Sequence, residues 1–486
     1  MKTLLLFPFQ LNQTYINHLN IEFDEIIVFE HLSFYKRHLY HKKRIALHHS
    51  AILHFIDTYQ KTYPLSYLLI EDLNTFYETY NHAQTYVFLP NDYADFNFIK
   101  PLTNVTYVDD PLFIVSRDEW KVLLSKQPWK MDTIYRKLRH KHQILMHHDL
   151  PIGGKFSFDG DNRKPFKKGL RFHEPLTFEI DVLTQQSIDW TNALFSDHPG
   201  NLDTFIYPVS HAQANQALTH FIDYRLSTFG DHQDVMIKHE PFMSHALISS
   251  SLNLGLLSPM DVIKAVEQAY HDGVCEIQPA EGFIRQVLGW REYIRGVYLN
   301  TPDYHDKNTL KHHHSLPAFY WSAKTDLSCL SHTIEETLEN GYNHHIQRLM
   351  ILSNYANLIG VNPIEVNDWF NSLYIDSFDW VVTPNVMGMG LYADGGLMST
   401  KPYISGASYI KKMSNYCEGC KYDPTIKTGE KACPFNGLYW NFIDKHKDTL
   451  KSNPRMSMMV NLLNKMDRET KQNHILNANK HLGNMK

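Results

Sequence analysis

The chain has 486 residues, a length at which one hydrophobic core stops growing, so we expect two or three packed units. Apolar residues make up 43% and aromatic residues 13% of the chain, which excludes a disordered protein and predicts an interior rich in rings. The formal net charge of -5 excludes a protein coated in positive charge, so any nucleic-acid site must be local.

The N-terminus and the cysteines predict a cytoplasmic protein. The opening MKTLLLFPFQLNQ has one lysine, and its apolar run is broken by Pro8 and Gln10, so it predicts a buried first strand rather than a secretory leader. We expect no membrane span, because no apolar stretch approaches about 20 residues. Five cysteines, an odd number, are poor material for a secreted disulfide scaffold.

Residues 1–130 alternate short apolar strands with helical segments. A long helical run is predicted from Tyr35 to Tyr63, and the strand candidates are TLLLFPF, EIIVFEH, SYLLIED, TYVFLP, NVTYVDD and FIVSRDEW. This alternation predicts an α/β domain with a doubly wound parallel sheet of the Rossmann-like type. The segment has no GxGxxG loop, so a bound dinucleotide is not implied.

Residues 131–187 are predicted to form an interdomain connector, helix-like at first and then rich in Gly, Pro and charge. Five basic residues fall within nine positions of it: Arg163, Lys164, Lys167, Lys168 and Arg171. This basic cluster is either a solvated loop or an edge that contacts phosphates. In residues 188–486 the apolar spacing is close to 3.6, as in PMDVIKAVEQAY, which predicts a large all-helical domain.

Three cysteines, Cys417, Cys420 and Cys433, form a CxxC pair followed by a third cysteine, which indicates a metal or cluster site. The fourth ligand is either Cys329 or Cys275, and spacing alone does not choose between them. Four cysteines can bind zinc or a [4Fe-4S] cluster, and the Cys-Pro dipeptide favours the cluster slightly. The alternative, buried thiols without metal, fits poorly with a loop rich in Lys, Gly and Asp.

Three further stretches resemble the flavin-binding core of the photolyase and cryptochrome family: FIRQVLGWREYIRGVY (283–298), NGYNHHIQRLM (340–350) and YIDSFDWVVTPNVMGMG (374–390). The segment HALISSSLNLGLLSP (245–259) is similar to the family's flavin-phosphate segment. VDDPLFIVSRDEW and KMDTIYRKLRHKHQILM, in the N-terminal half, resemble the bacterial iron-sulfur photolyases, a group known for repairing (6-4) pyrimidine photoproducts. The resemblance covers essentially the whole chain.

This resemblance implies an enzyme, a DNA photolyase of the (6-4) type. Reduced FAD would donate an electron to a photoproduct flipped out of UV-damaged DNA. The resemblance also implies a [4Fe-4S] cluster held by Cys329, Cys417, Cys420 and Cys433, which leaves Cys275 as a spare buried thiol. We expect a monomer, because repair of an isolated lesion requires no symmetry.

The resemblance implies roles for individual residues. As catalytic residues it implies His345, which faces the lesion and gives it a proton, and Trp369 and Trp321, which pass electrons from the surface to the flavin. The implied FAD-binding residues are Arg348, Asp376, His245, Ser249, Gln286 and Arg291. The implied substrate-binding residues are Leu349, Met389, Tyr403 and Tyr409. Lys411, Lys412 and the basic cluster are candidates for phosphate contacts.

Each of these roles competes with a simpler interpretation. Arg348 and Asp376 match the family's ion pair beside the isoalloxazine ring, but an interhelical salt bridge would give the same pattern. Bare tryptophans are more often core packing than electron carriers. His345 is one of 30 histidines, so its role depends on the resemblance.

Two departures from the family pattern concern cofactors. The family's N-terminal domain holds an antenna, usually 6,7-dimethyl-8-ribityllumazine, and the segment 30–51 resembles its binding region, with Glu30 and Tyr35 as contacts. The usual Gly-Asp-Gln-Leu is replaced by Phe-Pro-Phe-Gln-Leu (7–11), which puts the antenna in doubt. Val382 stands where relatives carry a polar residue near flavin N5, and it cannot form a hydrogen bond there, so we expect altered photoreduction.

Three other functions are compatible with the sequence. A cryptochrome-like blue-light photoreceptor would share the cofactors but repair little; Val382 favours it and His345 argues against it. A non-enzymatic iron-sulfur nucleic-acid-binding protein would use the helical domain only as a scaffold, and it would lack flavin. A zinc protein without redox function is a third possibility.

Overall fold

A computed structural model describes residues 1–484. Its N-terminal part is a five-stranded sheet with the strand order β3-β2-β1-β4-β5, in which all neighbouring strands are parallel. The strands are β1 (Lys2–Leu6), β2 (Glu25–Glu30), β3 (Leu65–Leu69), β4 (Gln84–Phe88) and β5 (Val105–Val108). In the middle of the sheet, Leu5 of β1 lies beside Ile27 of β2 and Val87 of β4. The predicted doubly wound parallel sheet is confirmed.

The strands are connected by α1 (Gln13–Asn17), a 3₁₀ turn (Leu32–Tyr35), α2 (Lys42–Tyr59), α3 (Leu73–Asn81) and α4 (Tyr93–Ile99), and α5 (Arg117–Leu123) follows the last strand. The helical run predicted from Tyr35 to Tyr63 is shorter in the structure. Its helix begins only after His41, whose side chain accepts a hydrogen bond from the backbone N–H of Lys43 and so caps the N-terminus.

The prediction of a sixth strand at FIVSRDEW is wrong. The sheet ends with β5, and the second half of this segment forms the start of α5. Ser116 caps this helix by accepting a hydrogen bond from the N–H of Glu119, and Asp118 and Glu119 place negative charge in its first turn. The cap and the acidic first turn favour a helix here more strongly than the β-branched residues Ile114 and Val115 favour a strand.

Side chains alternate between the two faces of the sheet, as expected for strands. Leu4 and Leu6 belong to a large core that the sheet shares with the helices of the C-terminal part. Leu5 and Phe7 belong to a second core under α3 and α4. One face of the sheet is therefore joined directly to the helical part.

The connector contains α6 (Met131–His142), a short antiparallel hairpin of β6 (Met146–His147) and β7 (Leu150–Pro151), and a 3₁₀ turn (Ile152–Gly154). Residues 155–181 form neither helix nor strand. Within them Phe166, Leu170 and Phe172 pack against a small apolar cluster of the helical part. The basic residues between these apolar anchors stay exposed.

The C-terminal part is helical, as predicted: the described residues beyond β7 form isolated bridges but no further strand. Its helices are α7 (Val182–Leu194), α8 (His211–Tyr224), α9 (Leu226–His232), α10 (Ser249–Asn253), α11 (Pro259–His271), α12 (Ile277–Ile284), α13 (Glu292–Leu299), α14 (Ser328–Asn340), α15 (Asn354–Ile359), α16 (Pro363–Leu373), α17 (Asp379–Thr383), α18 (Ala407–Met413), α19 (Pro434–Lys445), α20 (Lys447–Lys451), α21 (Ser457–Lys465) and α22 (Arg468–Gly483). Within residues 1–484 no helix combines the length and apolar composition needed to cross a membrane.

Shorter helical turns complete this part: two 3₁₀ turns (Tyr304–Asp306 and Ala318–Trp321) and three π-helical turns (Arg285–Arg291, Gln347–Ser353 and Pro384–Gly390). Each π-helical turn continues directly from, or into, an α-helix. π-helical turns are rare and often occur at functional sites. All three overlap segments that resemble the flavin-binding core.

Trp120 of α5 joins the two parts of the molecule. Its side chain is fully buried, and a Cβ atom on Gly296 of α13 would lie 2.4 Å from its ring. Only glycine at position 296 therefore allows the indole to approach the helix this closely.

We expect Gly296→Ala to destabilise the protein by about 1–2 kcal/mol, because overpacking against a rigid ring outweighs the gain in helix propensity of up to about 1 kcal/mol. Urea unfolding measures this change. Gly160→Ala is the matched control, since a Cβ atom there meets nothing within 4 Å. Equal stability of the two variants would contradict the proposed packing.

Candidate functional site

An arginine and an aspartate lie at the centre of the site. Arg348 is in the π-helical turn Gln347–Ser353, and Asp376 lies just before α17. Arg348 Nη1 donates to Asp376 Oδ1 at 3.0 Å, and Nη2 donates to Oδ2 at 3.3 Å. The guanidinium carbon also lies 3.8 Å from the centre of the Tyr374 ring. With 19% and 12% of their side chains exposed, the two ions are largely shielded from water, so each depends on the other.

Two side chains of α10 hold the same aspartate. Ser249 Oγ donates to Asp376 Oδ2 at 2.7 Å, and Asn253 Nδ2 donates to the backbone carbonyl of Asp376 at 2.9 Å. The sequence predicted Ser249 at this site but not Asn253. Their spacing of four residues, which places both on one face of a helix, is the signal that could have found it.

The other residues predicted to bind the cofactor lie in different surroundings. His245 stacks on His344, with ring centroids 4.4 Å apart and an angle of 16° between the planes. Gln286 Nε2 donates to a backbone carbonyl of its own helix at 2.7 Å. Arg291 faces the α/β part, where its guanidinium lies 4.2 Å from the centre of the Phe113 ring.

Several buried polar atoms next to α10 have no hydrogen-bond partner in the structure. They are Ser250 Oγ, Ser251 Oγ, His245 Nδ1, His344 Nε2, and Nε and Nη1 of Arg225. Arg225 is only 3% exposed, and burial lowers the pKa of its guanidinium to about 10. Buried donors without acceptors are costly, so these groups fit a ligand with anionic oxygens, such as the diphosphate of FAD.

His345 lies beside these groups on an open face. Solvent reaches its ring, although protein surrounds the residue on most sides. Desolvation by that protein, followed by the positive charges of Arg348 and Arg163, lowers the pKa of His345 to about 4. The imidazole is therefore neutral near pH 7 in the protein alone.

The predicted substrate residues belong to the same region. Leu349 and Met389 are buried members of the large core, and Tyr403 and Tyr409 are half-buried and pack against it. Burial raises the pKa of both tyrosines, and the positive charge of Arg163 opposes that shift. The structure therefore places a basic residue of the connector close to both tyrosines, which the sequence did not predict.

Arg163 is held by two aspartates. Its Nη2 lies 2.8 Å from Asp159 Oδ2, and its Nε lies 3.7 Å from Asp234 Oδ1. The backbone N–H of Phe166 donates to the carbonyl of Lys412 at 3.2 Å, so the basic cluster runs beside the C-terminal end of α18. The exposed basic residues of the connector and of α18 thus form one surface.

The two predicted electron carriers differ in exposure. Trp369 is fully buried in α16, whereas 40% of Trp321 is exposed. The indole N–H of Trp369 donates to the carbonyl of Tyr320 at 3.0 Å, and the two rings are 5.3 Å apart, edge to face. Because Trp321 follows Tyr320 in the chain, a short route joins the buried indole to the surface.

Val382 lies in α17, six residues after Asp376, and is 6% exposed. It belongs to the C-terminal core that also contains Trp369 and Tyr374. A hydrocarbon side chain offers no hydrogen bond to any group placed against it.

Glu30 and Tyr35, the predicted antenna contacts, are hydrogen-bonded to each other. The second carboxylate oxygen of Glu30 accepts a hydrogen bond from Tyr67 at 2.5 Å. Burial raises the pKa of Glu30. Phe9, from the altered Phe-Pro-Phe-Gln-Leu motif, packs edge to face on Phe378 with 5.3 Å between ring centroids. Glu30, Tyr35 and Tyr67 therefore form one buried hydrogen-bonded group in the α/β part.

Cys329, at the start of α14, lies close to three other cysteines. Burial, followed by the nearby Cys433, Cys417 and Cys420, raises the pKa of the Cys329 thiol. The shifted pKa of Cys275 has other causes, namely burial and Glu276. In the part of the chain that the structure describes, no three His, Cys, Asp or Glu side chains are arranged to hold a single metal ion.

The sequence of the chain is similar to those of known proteins from one family. A family model described as deoxyribodipyrimidine photo-lyase-related protein matches residues 4–207. A (6-4) photolyase of Agrobacterium fabrum (strain C58 / ATCC 33970) is 44% identical over 350 residues, which are 72% of this chain and 69% of that protein. Uncharacterized protein R855 of Acanthamoeba polyphaga mimivirus is 38% identical over 127 residues, 26% of this chain and 92% of that protein.

Two solved structures share the fold at low sequence identity. A bacterial class III photolyase from Agrobacterium tumefaciens gives a TM-score of 0.57 at 13% identity, over 99% of this chain and 98% of that one. A cryptochrome from Synechocystis sp. PCC6803 gives 0.55 at 12% identity, over 80% and 83% of the two chains. These two matches support the fold alone. The identity and coverage of the Agrobacterium fabrum relative decide the family, and this chain belongs to the photolyase-related family.

Proposed function

We propose that this protein uses light and FAD to repair UV-damaged DNA, with (6-4) pyrimidine photoproducts as its substrate. The observation that carries the proposal is the position of His345, on a solvent-open face beside the Arg348–Asp376 pair. The repair reaction needs a proton donor between a redox cofactor and a large substrate. The relative named (6-4) photolyase supports the same activity.

The residues next to α10 would hold the cofactor. Arg225, Ser250 and Ser251 have unused donors for the diphosphate, and the Arg348–Asp376 pair would lie against the flavin ring. When bound, FAD supplies the electron that absorbed light makes available. The protein's part is to orient this group and to exclude water from it.

The damaged bases must leave the duplex to reach this face. Leu349 and Met389 would supply an apolar wall, and the half-buried Tyr403 and Tyr409 would contact the bases. Phosphates around the opening would be contacted by the exposed basic residues Arg163, Lys164, Lys167, Lys168, Arg171, Lys411 and Lys412. This local positive surface is compatible with the negative net charge, and a monomer in the cytoplasm is sufficient for the task.

His345 would give a proton to the lesion as the electron arrives. With its pKa lowered to about 4, the free protein holds this ring neutral near pH 7. The phosphates of bound DNA bring negative charge and favour the protonated ring, which raises its pKa. DNA binding would therefore protonate the His345 imidazole, which supplies the proton that the reaction uses.

Trp369 and Trp321 would pass electrons from solution to the cofactor. Trp369 is buried and rigidly held by its indole hydrogen bond, and Trp321 is exposed to external reductants. Val382 gives no hydrogen bond to the cofactor, so we expect the photoreduction kinetics to differ from those of relatives with a polar residue there.

Cys329, Cys417, Cys420 and Cys433 would hold a [4Fe-4S] cluster. Four thiols are a suitable donor set, and the Cys329 thiol is influenced by the other three. Burial, with smaller contributions from neighbouring thiols, raises the pKa of Cys417 to about 11 and that of Cys433 to about 12, so a cation is needed to keep them as thiolates. The ligands come from α14, the loop after α18, and the N-terminus of α19, so the cluster would join these elements.

The test is an absorption spectrum of protein purified in the dark, followed by blue light with a (6-4) photoproduct oligonucleotide under reducing conditions. We expect flavin bands and recovery of intact bases. Bound flavin without recovery would favour a blue-light photoreceptor, which Val382 makes the main competitor. Absence of flavin would overturn both functions and favour a nucleic-acid-binding scaffold.

His345→Gln should lower the repair rate by at least about 100-fold, because the variant cannot donate the proton. In the wild type, the rate at saturating DNA should rise as the pH falls from about 8 to about 6, since the protonated fraction of His345 increases. Flash photolysis with lesion oligonucleotides measures both effects. His82→Gln, at an exposed histidine of the α/β part, is the matched control. A flat pH profile in the wild type would contradict the assignment.

Cys329→Ser should remove the iron and acid-labile sulfide, whereas Cys275→Ser should keep both, because Cys275 is not among the proposed ligands. Metal analysis of anaerobically purified protein measures this difference. If Cys329→Ser does not fold, Cys420→Ser provides the same test at a less buried position. Loss of iron in Cys275→Ser would contradict the ligand set, and zinc in place of iron in the wild type would contradict the cluster.

A further inference from the structure

The turn formed by residues 376–380 links Asp376 of the central ion pair to α17. At its first residue, Asp376 is held by the helical part, through Arg348, Ser249 and Asn253. The Asp379 side chain is also held within the helical part, by Tyr298 and His305. The backbone of residues 377, 379 and 380 and the Phe378 ring contact the α/β part. These contacts with the α/β part have no role in the function proposed above.

Asp92, which follows β4, caps α17 from the other part of the molecule. Its Oδ1 accepts a hydrogen bond from the backbone N–H of Trp380 at 2.7 Å, and its Oδ2 accepts one from the N–H of Asp379 at 3.1 Å. Phe378, the residue at the N-cap position, makes no side-chain cap hydrogen bond. The first N–H groups of a helix have no partner within the helix, and the two side-chain oxygens of Asp92 satisfy two of them.

Arg44 of α2 holds the preceding residue. Its Nη2 and Nε donate to the carbonyl of Ser377 at 3.0 and 3.3 Å. Arg44 is 6% exposed, and its guanidinium also lies 5.4 Å from the centre of the Phe378 ring. His48, one turn later in α2, stacks on the same ring at 5.5 Å, and Phe9 packs on it edge to face.

The α/β part therefore contacts the turn 376–380 from three sides. Asp92 fixes the amide groups of residues 379 and 380, Arg44 fixes the carbonyl of residue 377, and the rings of Phe9 and His48 enclose Phe378. All these contacts lie within four residues of Asp376. A shift of the turn would move the Asp376 carboxylate relative to Arg348.

We propose that Asp92 and Arg44 are positioning residues of the flavin site, through which the α/β part sets the geometry of the Arg348–Asp376 pair. The inference rests on the proposed function in taking this pair as the neighbour of the flavin ring. The α/β part then contributes to the flavin chemistry through two hydrogen-bonding side chains, whether or not it holds a chromophore of its own.

The chain offers a matched control in Asp95. Asp95 is a buried aspartate only three residues from Asp92, and the two line one cavity of about 20 Å³. Its side chain pairs with Arg37 at 2.6 Å. Asp95→Asn therefore removes a buried charge from the same place without removing the bonds to residues 379 and 380.

The experiment compares Asp92→Asn with Asp95→Asn in the full-length protein. An amide at position 92 can accept from one N–H but turns its own NH₂ group toward the other, so one of the two hydrogen bonds is lost. We expect the FAD dissociation constant to rise about tenfold in Asp92→Asn and to stay within about twofold in Asp95→Asn. We also expect the flavin midpoint potential to shift, and hydrogen exchange of a peptide spanning 377–382 to accelerate, only in Asp92→Asn.

Arg44 provides a second test in case Asp92→Asn does not fold. Arg44→Gln should weaken FAD binding, and Arg44→Lys, which keeps a cationic donor, should restore part of it. A folded Asp92→Asn with unchanged FAD affinity, potential and exchange would overturn the inference alone. Equal effects of Asp92→Asn and Asp95→Asn would also overturn it, because any lost buried charge would then suffice. Wild-type protein without flavin would overturn the proposed function as well.

Discussion

The pair of Arg348 and Asp376 joins segments that are far apart in the sequence. Arg348 comes from a π-helical turn after α14, Asp376 from the turn before α17, and the supporting Ser249 and Asn253 from α10. A largely buried arginine cannot be left without its carboxylate, since an uncompensated buried charge costs about 3–5 kcal/mol. The pair therefore fixes the relative positions of these three segments, and with them the positions of the neighbouring side chains.

The π-helical turns near this pair affect how side chains are oriented in the site. A π-helical turn inserts an extra residue into a helix, which rotates the following side chains relative to the preceding ones. The turn Gln347–Ser353 begins two residues after His345 and continues into α15, so it lies between His345 and that helix. Such turns persist where surrounding contacts compensate for their poorer hydrogen bonding, and the pair and its partners supply those contacts.

The sequence predicted what depends on local pattern and family resemblance. The alternation of short apolar strands with helical segments in residues 1–130 was sufficient for the sheet, because this order is typical of a doubly wound parallel sheet. The same reasoning failed at FIVSRDEW, where Ser116 caps a helix. Spacing could not choose between Cys329 and Cys275; the resemblance favoured Cys329, and in the fold its thiol is influenced by the other three cysteines.

Asp92 was beyond any sequence argument, because its partners are 287 and 288 positions away in the chain. The influence of Arg163 on the pKa values of the two tyrosines was missed for the same reason, since it depends on how the irregular connector folds back.

The connector combines apolar and basic residues in one stretch. Phe166, Leu170 and Phe172 pack against the helical part, and the basic residues between them stay exposed. Because the connector backbone is already fixed in this way, it loses less conformational entropy when its basic side chains bind phosphates. A protein of negative net charge can then attract DNA at one edge, because the field there is set by nearby charges rather than by the total.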